Sequence, residues 1–71
     1  MNPVTRFAAQ MEKGKATNSD LAAALHSLGE TAFSVPMDDL PIAYQDNGKW
    51  TIRHQEAVNV VVAVWQKRVG F

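Results

Sequence analysis

Cysteine is absent from this chain of 71 residues. No disulfide can staple the fold, a composition that fits a reducing compartment. Thiolate ligands are missing with it, and His26 and His54 alone are too few for a structural zinc site. Long apolar runs are missing too. The longest is Val60 to Trp65, six residues, against the roughly 20 that a membrane-spanning helix needs. The segment Met1-Asn2-Pro3-Val4-Thr5-Arg6 has no basic region leading into an apolar stretch, so it does not read as a secretory signal. The expected location is cytoplasmic. Glycine is sparse, at positions 14, 29, 48 and 70 only, and each one suits a helix end or a turn. None builds a phosphate-cradling loop, so nucleotide binding is unsupported and no cofactor or metal is expected.

Positive charge is missing from the middle of the chain. Between residues 19 and 47, Asp20, Glu30, Asp38, Asp39 and Asp46 stand without a single Lys or Arg. Arg6, Lys13 and Lys15 against Glu12 precede this block, and Lys49, Arg53, Lys67 and Arg68 against Glu56 follow it, so the net charge is zero. Either the ends fold over the acidic middle and the fields cancel, or the surface is dipolar and steers a charged partner.

What is present describes one small folded domain spanning 1–71. A hydrophobic share of 46% with 20% charged residues belongs to a globular protein and not to a disordered tail. A chain this short buries only about 60% of its unfolded surface. Cores of this size supply about 3–5 kcal/mol unless something else helps. With disulfides and zinc set aside, self-association is the remaining source of extra stability.

The expected fold class is α+β: two N-terminal helices, a β-hairpin at about 42–53 and a C-terminal helix at about 55–69. Asn2 as cap and Pro3 at the first helical position start a helix running to about Lys13. Val4, Phe7, Ala8 and Met11 form its apolar stripe, and Gly14 forms its end. Asn18 or Ser19 caps the second helix, with Leu21, Ala24, Leu25 and Leu28 as its stripe. That helix stops at Gly29 or runs on through Ala32 and Phe33. Pro36 and Pro41 bracket a connector. Asp46-Asn47-Gly48-Lys49 between Ile42–Gln45 and Trp50–Arg53 is a strong hairpin signal, with Tyr44 and Trp50 as cross-strand neighbours.

Residues 55–71 are ambiguous. Alternating Val58, Val60, Val62 and Val64 suit a buried strand. Glu56 early, Lys67 and Arg68 late, and Gly70 as a stop suit a helix, which is the preferred reading. As a helix, its apolar residues from Ala57 to Val69 sweep about 200°, twice the stripe that one packing face requires.

Catalytic chemistry finds no support. Ser19, Ser27, Ser34, His26 and His54 sit in no nucleophile motif, and Asp38 with Asp39 in a proline-bounded connector reads as solvated or turn-capping. The expected function is therefore non-enzymatic protein binding: an inhibitor, adaptor or accessory factor of the kind that phages and mobile elements carry, acting as a homodimer. Its interface would comprise Val58, Val61, Val62 and Trp65, with Trp50, Tyr44 and Phe71 as further contacts.

The alternative is a DNA-binding regulator. Two short helices followed by an Asn-Gly hairpin resemble the order of a winged helix-turn-helix, with Ser19-Asp20-Leu21-Ala22-Ala23-Ala24-Leu25 similar to the first helix of that motif. That resemblance implies contacts from Lys49, Arg53 and His54, aided by Lys13 and Lys15. Against it, the stretch where a reading helix belongs is acidic and broken by proline, which phosphate would repel.

Overall fold

The computed structural model describes residues 2–68. In chain order the elements are α1 (Pro3–Glu12), α2 (Asn18–Ser27), β1 (Ala43–Asp46), β2 (Lys49–Ile52) and α3 (Gln55–Arg68). This is the α+β arrangement expected from the sequence. The expectations for Val69, Gly70 and Phe71 lie outside the described residues.

Local chemistry sets most of the element ends. Asn2 Oδ1 accepts from the Thr5 amide at 2.9 Å, with Pro3 in the first turn of α1. The second cap differs from expectation, because Thr17 holds that role and neither Asn18 nor Ser19 does. Thr17 and Asp20 exchange a reciprocal pair of bonds, Asp20 N–H to Thr17 Oγ1 at 3.3 Å and Thr17 N–H to Asp20 Oδ2 at 3.0 Å. That is a capping box, and it satisfies two orphan amides at once.

Both N-terminal helices end alike. Gly14 and Gly29 each have φ of 69°, the left-handed geometry that costs a residue with Cβ about 1–2 kcal/mol. Beyond them, Lys15 N–H donates to Gln10 C=O at 2.9 Å and Glu30 N–H to Leu25 C=O at 3.0 Å. These are Schellman closures, and they decide that α2 stops before Ala32 and Phe33.

The C-terminal segment is a helix and not a third strand. It carries Glu56 in its first turn and Lys67 and Arg68 in its last, as the macrodipole favours. The three helices pack on one another around a single core of Val4, Phe7, Ala16, Leu21, Ala24, Leu25, Ile42, Ala57, Val58 and Val61. Phe7, Leu21, Ile42, Val4 and Val61 are fully enclosed, each contributing about 1.5–3 kcal/mol by leaving water.

The connector is tied to the start of α2 by backbone bonds: Asn18 N–H to Leu40 C=O and Ser19 N–H to Asp38 C=O, both 2.9 Å. A short ladder then runs from Ala16 C=O to Ile42 N–H (2.9 Å) and from Ile42 C=O to Arg53 N–H (2.7 Å). It seats the base of the hairpin on the core while the rest of the hairpin projects beyond the helices.

Candidate functional site

The hairpin is built around its turn. Asn47 and Gly48 have φ of 51° and 80°, the type I′ geometry whose twist matches the flanking strands. Register follows: Ala43 faces Ile52, Tyr44 faces Thr51, Gln45 faces Trp50 and Asp46 faces Lys49.

This register corrects the expected pairing of Tyr44 with Trp50. Side chains alternate along a strand, so Tyr44, Lys49, Thr51 and Arg53 share the outer face, while Trp50 and Ile52 share the inner face with Ala43 and Gln45. Ile52 leans on the core. Trp50, farther out on the same face, passes beyond the core and is 71% exposed. A tryptophan held this way presents a large rigid apolar surface to whatever approaches.

On the outer face the Arg53 guanidinium lies over the Tyr44 ring, 4.3 Å from its centroid, and Arg53 Nε donates to Pro41 C=O at 2.9 Å. Tyr44 and Arg53 are diagonal neighbours across the ladder, within reach of a stacked cation–π pair. Arg53 is thereby committed to the hairpin base. Lys49 is exposed, with Asp46 across from it.

The remaining sequence-selected residues divide by burial. Val58 and Val61, expected at an interface, are interior. One side of α3 faces α1 and α2, and these two valines fill the space between them. Val62 and Trp65 are partly buried against the same core. Val60 and Val64 are half-buried. The wide apolar arc of α3 thus splits into a core side and a partly wetted flank.

Lys13 caps the C-terminus of α1, and Lys15 lies exposed just past Gly14. The Ala16–Ile42–Arg53 ladder brings the Lys15 segment alongside the base of the hairpin. His54, exposed, occupies the position before α3 with φ of 51°, and its carbonyl accepts the first helical bond, from Val58 N–H at 3.0 Å.

Two exposed apolar side chains escaped sequence reasoning: Met37, 71% exposed, and Leu40, 50% exposed. The signal was present, since they are the only large apolar residues between Pro36 and Pro41, but a connector of that length gives no periodicity to judge by. Beside them, Asp38 takes the turn-capping role, its Oδ1 accepting from Leu40 N–H at 3.1 Å.

A cleft of about 320 Å³ opens at the start of α3, lined by Phe33, Ser34, Val35 and the residues from His54 to Ala57. It holds the free amides of a helix N-terminus, and Glu56 already places a negative charge there.

Among the described residues no helix is long and apolar enough to cross a membrane. No known protein family, curated protein or solved structure matches this chain.

Proposed function

We propose that this chain is a small, non-enzymatic protein-binding module whose contact surface is the projecting hairpin together with the connector before it. The observation that carries this reading is Trp50, 71% exposed on a hairpin that reaches past the core. Aromatic anchors dominate the energetics of protein interfaces, and Met37 and Leu40 add apolar area in the connector. The homodimer expected from the sequence drew on Val58 and Val61. Both are interior, and Val62 and Trp65 lean on the same core, so the module is proposed to act as a monomer with respect to α3.

The test uses the tagged chain and its Trp50→Ala variant as baits for cell lysate treated with nuclease. Truncating an exposed side chain leaves the fold intact, and circular dichroism checks that. Recovery of one stoichiometric protein by the parent chain and its loss with the variant supports the reading. Equal recovery by both removes the hairpin from it.

The DNA-binding reading retains one favourable observation, the backbone ladder that brings the segments of Lys15 and Arg53 together. Its discriminating outcome is a salt-dependent shift with random duplex DNA, abolished by Lys49→Glu with Lys15→Glu.

A further inference from the structure

A two-stranded sheet leaves both of its outer edges open, and the hairpin register fixes which backbone groups lie there. Arg53 N–H donates to Ile42 C=O, so the bonded pairs of the ladder are Tyr44 with Thr51 and Asp46 with Lys49. Antiparallel pairs alternate. The amides and carbonyls of Ala43 and Gln45 therefore point out from β1, and those of Trp50 and Ile52 point out from β2. None of these four amides donates to another backbone carbonyl among the described residues, and the helices make no more than marginal contact with either strand.

The two edges differ in chemistry. β1 offers small or polar Ala43 and Gln45 beside Asp46. β2 alternates Lys49, Trp50, Thr51, Ile52 and then Arg53: cations on the outer face, large apolar groups on the inner face, and no acid. We propose that the β2 edge takes up an extended peptide segment as a third, antiparallel strand, and that the segment alternates acidic with apolar residues. Backbone bonds to Trp50 and Ile52 would hold it. Its apolar side chains would lie beside Trp50 and Ile52 on the inner face, and its acids beside Lys49 on the outer face, with the Arg53 charge held over Tyr44 at the hairpin base.

The same charges disfavour one register of pairing with a second copy of the chain. In the two-fold register that sets Trp50 of one copy against Ile52 of the other, Lys49 meets Arg53, and like charges directly opposite destabilise a sheet. The inference rests on the protein-binding reading and adds the identity of the partner's binding segment to it.

The experiment titrates the full chain with a short synthetic peptide of alternating glutamate and valine, followed by amide NMR and hydrogen exchange. The expected result is shifted resonances for Trp50 and Ile52 with exchange slowed about tenfold or more, and unchanged rates at Ala43 and Gln45. A peptide N-methylated at its valines should lose binding, because those amides face β2. One N-methylated at its glutamates should keep it. Lys49→Gln should weaken binding by roughly a few-fold through lost charge attraction.

Equal binding by a scrambled peptide or by alternating lysine and valine overturns the proposal. So does protection at Ala43 and Gln45, binding of oligothymidylate in place of the acidic peptide, or no binding of the alternating peptide at all. These failures leave the Trp50 bait comparison as the separate judge of the protein-binding reading.

Discussion

Asn18 and Asp38, twenty positions apart, are joined by a 2.9 Å hydrogen bond from Nδ2 to Oδ1. Asn18 is 1% exposed, and its Oδ1 has no hydrogen-bond partner within the protein. Asp38 Oδ1 also accepts from Leu40 N–H, so one carboxylate holds the connector against the start of α2 and shapes the turn that exposes Leu40. Hydrogen bonds to charged groups contribute more than neutral ones because the charge strengthens them, and a donor left buried without an acceptor bears a desolvation cost.

Asp38→Ala is accordingly expected to cost about 1–3 kcal/mol, read as a lower urea midpoint. Asn18→Asp should cost more, since it sets a buried carboxylate beside the half-buried Asp38. Equal midpoints for the parent chain and Asp38→Ala would show that the connector is held by its backbone bonds alone.

Val61→Ala and Val60→Ala test how α3 is seated. Val61 is fully enclosed, so losing two methyl groups and leaving a cavity should cost on the order of 2 kcal/mol. Val60, half-buried on the flank, should change stability by less than about 0.5 kcal/mol, because alanine's better helix propensity offsets the lost contact. Similar losses at both positions would mean that the flank is covered, as in a dimer.

His54→Gly is expected to stabilise the chain by about 0.5–1 kcal/mol. The left-handed backbone at His54 costs a residue with Cβ about 1–2 kcal/mol, and glycine's added freedom in the unfolded state returns part of that. His54→Val, β-branched at the same φ, should destabilise. Thermal unfolding of the pair checks both signs.

Trp50 and Trp65 differ enough in exposure to be told apart by fluorescence. With Trp65 changed to Phe, the remaining emission from Trp50 should be red-shifted and readily quenched by acrylamide. With Trp50 changed to Phe, the emission from Trp65 should be bluer and less accessible. Indistinguishable quenching would contradict the projecting hairpin.

Much of this architecture was legible wherever a few adjacent residues settle the outcome. Asn2-Pro3 starts α1, Gly14 and Gly29 end helices through left-handed backbone, and Asn47-Gly48 forms the type I′ turn. Val4, Phe7, Leu21 and Leu25 are core residues that helical spacing had already aligned. Thr17 was missed as a cap because Thr17, Asn18 and Ser19 are all competent cap residues, and only Asp20 returning to the Thr17 amide selects one. The interface residues fared differently. Periodicity measures how much apolar surface α3 carries but not which of its valines α1 and α2 cover, which is why Val58 and Val61 read as interface candidates as well as core ones.

By itself, the sequence determined the caps, the stops, the turn and the two N-terminal stripes, because each depends on bonds and φ angles within about one helical turn. Tertiary structure decided the rest. Valines at 58, 60, 61, 62 and 64 satisfy strand and helix periods alike, so neighbouring helices determined which of them went inside. Asn18 meets Asp38 only because the connector folds back onto the start of α2. Trp50 is exposed for a reason of the same kind: the hairpin, seated at its base by Ala16, Ile42 and Arg53, carries it past the edge of the core.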